Sequence, residues 1–482
     1  MEEAIKFIND ILWSNVFIIL CLGAGLFFTI KTKFVQVRYI KQMVKLLFTE
    51  GSSEKGVSPF QAFSIAIAGR VGVGNIVGVA TAIAYGGPGA IFWMWMIAFL
   101  GSASAFVEST LAQIYKEEKN GHYCGGPAFY IEKGLNSKKL ALVFAFVTIV
   151  SCVLFLPSIQ GNSISISIKD AFQVPQWITG LAICVLLSLT VFGGAKKIGR
   201  IAQVVVPFMA VIYIVMAVII IAINAKEIPS IFALIFRSAF NLEATFSGIF
   251  GAAIAWGVKR GIYSNEAGQG TAPHAAAASE TSHPVKQGLV QAFSVYIDTL
   301  FVCTATALMI LFTHQYNVFD EAGNYIVNNI PDVEVGSAYT VKAIAVHFPL
   351  FASQFIAIAL TFFAFTTIMS YVFIAESNFN YLTDQPRTIL RWLMRLILLA
   401  TVFYASINES STAWGIGDIG VGLMAWINFI VILFLYKPTI VALNDYIAQH
   451  KQGRRNPIFD PEKLNIKNAS TIWHRLLKER KS

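Results

Sequence analysis

The sequence predicts an all-α integral membrane protein with about eleven transmembrane helices, and three observations carry that reading. The 482 residues are 56% hydrophobic and 13% charged, about half the usual charged share, with a mean hydropathy of +0.63. A soluble fold could not hide so much apolar surface, whereas a bilayer could. Runs of about 20 apolar residues recur along the chain, the length that an apolar layer about 30 Å thick requires. Lysine and arginine crowd into alternate connections between those runs.

The first run, near 9–30, follows "MEEAIKF", which lacks the basic start of a cleaved secretory signal and so reads as an uncleaved helix. Further runs lie near 58–83, 88–115, 139–168, 176–192 and 199–223, then near 243–258, 285–313, 343–373, 388–407 and 415–436. Each rests on its apolar length; 243–258 is the exception, short and rich in glycine. With the N-terminus outside, the inner segments are 31–57, 116–138, 193–198, 259–284, 374–387 and everything from 437. With their flanking positions, they hold all but six of the 36 lysines and arginines. The remaining six are Lys6, Lys226, Arg237 and Lys342 in outer regions, Lys169 at an outer boundary and Arg70 in mid-membrane. That asymmetry places the C-terminus in the cytoplasm.

The net charge of +9 follows from this topology and from contact with anionic headgroups, so it gives no reason to expect nucleic acid. The basic end "TIWHRLLKERKS" is expected to lie on the inner membrane surface. Cys21, Cys124, Cys152, Cys184 and Cys303 show no ligand spacing and no paired framework. His274 and His283, nine apart with no third ligand, suggest no metal site. The chain divides into an extra helix with a basic loop (1–57), two five-helix units (58–224 and 225–436) and a basic tail (437–482).

One apolar stretch, "SIAIAGRVGVGNIVGVATAIAYGGPG", carries Arg70, Asn75 and four glycines within ten positions. A dinucleotide fingerprint is excluded, because the spacing is G-x-G-x-x-x-G and no βαβ pattern surrounds it. Helix packing would use Gly74 and Gly78, but it would not call for Asn75 or Arg70, which are costly in lipid. A broken membrane helix accounts for more: unwound amides face an anion and unwound carbonyls face a cation. "FSGIFGAAIAWGVKRG", with Gly248, Gly251 and Gly257, opens the second five-helix unit as this stretch opens the first. Corresponding interruptions in two inverted halves point to a binding site at the membrane midplane.

With those residues in place, "GRVGVGNIVGVATAIAYGGPGAIFWMWMIAFLG", "FVESTLAQIYK", "GGPAFYIEKGL", "GVKRGIYSNEAGQGTAPHAAAA", "HPVKQGLVQ", "DTLFVCTATAL" and "GDIGVGLMAWIN" together resemble the alanine or glycine:cation symporter family. The likeness runs from about residue 12 to 470. It implies a leucine-transporter-type fold with inverted five-helix repeats and one extra N-terminal helix. It also implies sodium-coupled import of small neutral amino acids, with alanine or glycine first and glutamine or serine as alternatives, across a bacterial or archaeal plasma membrane.

The resemblance also assigns roles. Amides around Gly72, Val73 and Gly74 would receive the substrate carboxylate, and Asn75 would serve an ion or the substrate. Carbonyls near Phe250, Gly251 and Ala252 would accept the substrate ammonium. Gln160 and Tyr371 would face the pocket. Val73 stands where many members have threonine, so one hydroxyl contact is missing; Tyr371 stands where several have tryptophan, a swap that would suit a substrate larger than alanine. Sodium, a hard cation, needs oxygen ligands; carbonyls of Ala68, Val71 and Phe363 with hydroxyls of Thr366 and Thr367 would supply them. No other cofactor and no protein partner is implied.

The remaining charges read as gating or structural. Arg70 is expected to pair with Glu108 or Asp298, and Glu266 to help close an inner gate. Asp418 suits the start of the last helix. The chain shows no nucleophile with its base, so it does not read as an enzyme, and no pore-lining charge ring marks a channel. Proton coupling is the main rival to sodium.

Overall fold

The computed structural model describes residues 2–49, 55–191, 194–383, 388–408 and 412–479. It is a helical membrane protein in which, among the described residues, eight helices are long and apolar enough to cross a bilayer. The order begins with α1 (Glu2–Leu12) and α2 (Asn15–Lys31), followed by two short helical segments at Val35–Arg38 and Ile40–Leu46. Then come α3 (Pro59–Arg70), α4 (Val77–Gly86) and α5 (Gly89–Ile114), a hairpin of β1 (Glu117–Lys119) and β2 (His122–Cys124), and α6 (Pro127–Leu135). α7 (Lys138–Val150) and α8 (Leu156–Phe172) form one span, and α9 (Gln176–Val191), α10 (Gly194–Ile223) and α11 (Ile228–Ala239) follow.

The second half holds α12 (Phe250–Asn265), α13 (Ala272–Ala278), α14 (Pro284–Val295) and α15 (Thr304–Phe312). A hairpin of β3 (Asn317–Phe319) and β4 (Tyr325–Asn328) leads to α16 (Ser337–Ala345), α17 (Ala352–Leu382), α18 (Thr388–Ile407), α19 (Thr412–Lys451) and α20 (Ile472–Glu479).

α5 lies at the centre of one packed group, against α2, α12, α13 and α14, while α8 packs with α17 and α18 in a second. Burial separates core from rim. The α14–α15 span and α17 are each 78% buried over their most apolar window, against 22% for α18. Large apolar side chains left exposed fall on one face, such as Val204, Phe208, Val211 and Val215 on α10. That inverted amphipathicity suits lipid, which is as apolar as leucine.

The sequence-based spans differ from this fold in particular places. The span at 139–168 extends over Lys138–Phe172 and relaxes into a π turn at Ser151–Phe155. Pro157 explains the turn, because it lacks the N–H that would close the α-helical ladder there. The helix that carries the last span, expected at 415–436, runs on to Lys451. The first lengthens into α1, which packs on α19: Asn9 donates to the Gly415 carbonyl at 2.8 Å and Trp13 to the Asp418 carbonyl at 3.0 Å.

The apolar side chains of the tail, expected to meet the membrane surface, pack on protein instead. Trp473, Phe459, Ile472 and Leu476 are buried against protein. The Trp473 indole donates to the Gln113 carbonyl at 3.1 Å, Ser470 N–H to the Ile114 carbonyl at 3.0 Å, and Arg475 pairs with Glu118 at 2.6 Å. α20 is amphipathic, and its apolar face finds the end of α5 rather than lipid.

Among the described residues two helices unwind, and they run antiparallel. At the end of the molecule that carries the tail, Val57 N–H donates to the Ala278 carbonyl at 3.0 Å and Glu280 N–H to the Val57 carbonyl at 3.1 Å. The approach to α3 therefore touches the exit of α13. At the far end, a Cβ on Gly86 would lie 3.2 Å from the Ala252 carbonyl, so the close of α4 touches the start of α12.

Candidate functional site

The first break separates α3 from α4. Val71 leaves helical geometry (ψ 87°), and residues 73–75 form a single 3₁₀ turn. The freed amides are satisfied by side chains: Gly72 N–H donates to Asn75 Oδ1 at 2.8 Å, and Val73 N–H to Gln160 Oε1 at 3.2 Å. A carboxylate arriving at these two amides would have to displace those amide oxygens. Gly72 is required by close approach, since a Cβ there would lie 2.6 Å from Thr367 Oγ1.

That hydroxyl is the centre of an oxygen cluster. Thr367 Oγ1 lies 2.8 Å from the Ala68 carbonyl, 3.3 Å from that of Val71 and 2.9 Å from that of Phe363. One hydroxyl has one hydrogen to give, so three carbonyls facing it make an oxygen-only set of the kind a hard cation takes. Four of the five expected sodium ligands thus converge. Thr366 does not join them: its hydroxyl bonds back along its own helix, at 3.0 Å to both the Phe362 and Phe363 carbonyls, the ordinary habit of a helical threonine.

The second break is not where the glycines of 243–258 suggested. α12 is unbroken from Phe250 to Asn265, and the chain unwinds over residues 266–271, between α12 and α13. Glu266, Gly268 and Gly270 have φ of 53°, 81° and 92°, and only glycine adopts such angles freely. A Cβ on Gly268 would also lie 2.3 Å from the Phe429 ring. Phe250, Gly251 and Ala252 sit instead in the first turn of α12, partly or fully exposed, beside the far end of α4. Ten residues of helix, about 15 Å, separate that end from the first break.

Buried polar side chains hold the second break. Glu108 on α5 accepts from Gly268 N–H at 3.2 Å and Gly270 N–H at 3.1 Å, and from the Asn428 amide at 2.8 Å. Asn428 also donates to the Gly268 carbonyl at 2.9 Å and accepts from Tyr130. Glu266 accepts from the Thr271 hydroxyl at 2.7 Å, and Tyr371 reaches the same carboxyl. The two breaks adjoin: a Cβ on Gly69 would be 3.3 Å from Glu266 Oε2, and one on Gly74 would be 3.0 Å from the Tyr263 ring.

Arg70 and Asp298 border the first break, Arg70 beside the span that α14 begins and Asp298 within it. Asp298, in a π-helical stretch at Tyr296–Cys303, accepts from Asn75 at 2.6 Å, Ser264 at 2.9 Å and Thr299 at 2.7 Å. Among the described residues Arg70 pairs directly with no acid. It donates to the Gln291 carbonyl at 3.2 Å and to Ser294, with Glu266, Glu108 and Asp298 around it at longer range. Asp418 is more than a helix-start acid: buried on the far side, it takes Arg260 in a two-pronged pair at 3.0 and 3.2 Å and Lys259 at 2.8 Å. The Arg260 guanidinium also faces the rings of Trp256, Tyr263 and Trp414.

Sequence reasoning missed Asn428, Ser264, Thr271 and Ser370, whose hydroxyl donates to the Ile65 carbonyl at 3.0 Å. Asn428 had a usable signal, since a lone amide in "MAWINFIV" is costly in a membrane unless it has partners. The serines and threonines had none, because such residues commonly satisfy themselves within their own helix.

Two interrupted, antiparallel helices meeting at polar groups can be compared with known proteins. The model of the sodium:alanine symporter family matches residues 1–461. The chain belongs to that family. A Bacillus sp. (strain PS3) relative named as a sodium/proton-dependent alanine carrier protein is 50% identical over 433 residues, covering 89% of this chain and 97% of that one. A Bacillus subtilis relative named as a probable sodium/glutamine symporter is 41% identical, covering 98% and 96%. Among solved structures, an Eremococcus coleocola manganese transporter aligns with a TM-score of 0.50 at 12% identity, over 84% of this chain and 94% of that one, a likeness of fold.

Proposed function

We propose that this protein is a sodium-coupled symporter that imports small neutral amino acids, alanine or glycine first, by alternating access. The observation that carries the reading is the oxygen cluster at Thr367. An ion held there ties α17 to carbonyls of Ala68 and Val71, one or a few residues from the amides of Gly72 and Val73. A cation beside those amides offsets part of the cost of holding a carboxylate away from water. Each sodium moving inward through about 100 mV also supplies about 2.3 kcal/mol.

In this reading the substrate carboxylate displaces Asn75 Oδ1 and Gln160 Oε1 from the first break. The substrate ammonium turns to the second break, where Glu266 and the carbonyls of residues 266–270 replace the assignment to Phe250–Ala252. Tyr371 limits the side-chain end. Asp298 positions Asn75, and Glu108 holds the second break open. The antiparallel interrupted helices support two inverted five-helix repeats after one extra helix, eleven spans in all. The lysine and arginine asymmetry supports a plasma-membrane protein with its N-terminus outside and tail in the cytoplasm.

Proton coupling is the second reading, favoured by the paired ions in the name of the PS3 relative. The test is uptake of labelled alanine, glycine, serine and glutamine into proteoliposomes under a sodium gradient, then a proton gradient. Uptake with sodium alone supports the proposal. Uptake driven only by protons overturns the sodium site and keeps the transporter.

A further inference from the structure

Away from the two breaks, a cavity of about 440 Å³ opens at the tail end of the molecule between the β1–β2 hairpin, the start of α10, the end of α17 and the start of α18. Among the described residues that line it, the cations Lys119, Lys196, Arg391 and Arg395 outnumber one acid, Glu376, and Lys119 also lies 3.9 Å from Glu117. Glu376 is held by Arg395. Arg391 gives one N–H to Asn380 Oδ1 at 2.8 Å, while its buried Nε has no hydrogen-bond partner among the described residues. A buried donor left unmade is costly, so the site favours an acceptor there. Thr388, the first residue of α18, also lines the cavity and adds the positive end of a helix.

We infer that this cavity binds the phosphate headgroup of an anionic phospholipid from the leaflet on the tail side. Guanidinium forks and ammonium groups around a pocket are what a phosphodiester requires, and basic pockets between membrane helices on the inner side suit such headgroups. A lipid fits better than a soluble anion because of what borders the basic patch. Trp392 lines the cavity and is 46% exposed; Ile389, Leu393 and Leu396 on the same helix are 84%, 51% and 55% exposed. An anionic head in the cavity would therefore have its acyl chains against an outward apolar face of α18. The site contains none of the residues assigned to the amino acid or to sodium. A lipid there would bridge α18, α17 and the hairpin that the tail also grips.

Native mass spectrometry of the detergent-solubilised full chain, offered equal phosphatidylglycerol and phosphatidylcholine, tests the inference. The wild type is expected to retain phosphatidylglycerol at least about tenfold better. Arg391→Gln and Lys196→Gln are each expected to lower that retention about fivefold, the effect of one cation near an anionic headgroup, with Arg391→Lys retaining most of it. Lys196 sits near a helix start, so its variant keeps the test open should Arg391→Gln unfold. Equal retention of the two lipids, or an anionic preference unchanged in both glutamine variants, would overturn the inference. So would millimolar inorganic phosphate that displaces all the lipid from the wild type.

Discussion

At the scale of single residues, two adjacent threonines with the same side chain do different work. Thr367 points across to α3 and gathers three carbonyls, whereas Thr366 folds back on its own helix. Removing one ligand oxygen from a small set should cost about 1.4 kcal/mol, a factor of about ten. Thr367→Ala is therefore expected to raise the sodium concentration for half-maximal uptake about tenfold, with Thr367→Ser near wild type. Thr366→Ala should change it less than about twofold. Equal effects of the two alanines in a sodium titration would mean the cluster is not where the ion sits. The sequence could place both threonines on one membrane helix, but their rotamers depend on what lies opposite, and that is α3.

At the scale of elements, the first break was legible and the second was misplaced by about one helix. The glycines of the first stretch coincide with unwinding because Asn75 and Gln160 stand ready to satisfy the freed amides. Gly251 and Gly257 lie inside unbroken α12, and Gly248 lies in a 3₁₀ stretch at Ala244–Ile249 that leads into it. Gly257 lets α12 approach the Ala90 carbonyl, where a Cβ would sit at 2.5 Å, while Gly248 and Gly251 have nothing within 4 Å. The true break lies in "EAGQG", whose alternating left-handed residues are stabilised by Glu108 from another helix. Uptake assays should therefore separate the two glycine sets. Gly268→Ala, with φ of 81° and Phe429 in the way, should lower transport more than about tenfold, since strain and overpacking together reach several kcal/mol. Gly248→Ala and Gly251→Ala should stay within about twofold. A silent Gly268→Ala would return the second break to 243–258.

At the scale of the whole molecule, the two interrupted helices and the tail form one connected system at one end. Val57 stitches the approach to α3 to the exit of α13, Gln113 donates to carbonyls of Ala276 and Ser279, and Trp473 in turn seats on Gln113. Any motion that parts α3 from α13 must reach this assembly. Trp473→Ala removes a fully buried side chain, a loss of about 3–5 kcal/mol if the tail unfolds as a local unit. Hydrogen exchange at the Ser470 amide, which bonds to Ile114 in the wild type, should then quicken at least about a hundredfold while amides in α5 keep their protection. Unchanged exchange at Ser470 would show that the tail is held by its polar bonds rather than by the indole.

The class of molecule follows from composition and local pattern alone. Apolar length sets where the chain can cross, because a bilayer core has one thickness, and lysine and arginine bias the orientation, because moving them across is costly. The glycine and amide signature of the first break was local, so it could be read locally. Packing alone fixes which carbonyls meet Thr367, which helix holds the second break, and where the tail's apolar face goes. Each of those depends on a partner distant in the chain: Thr367 on Ala68, Gly268 on Glu108 and Asn428, Trp473 on Gln113. An unsatisfied polar group in a membrane is too costly to persist alone, so the identity of its partner is set by packing.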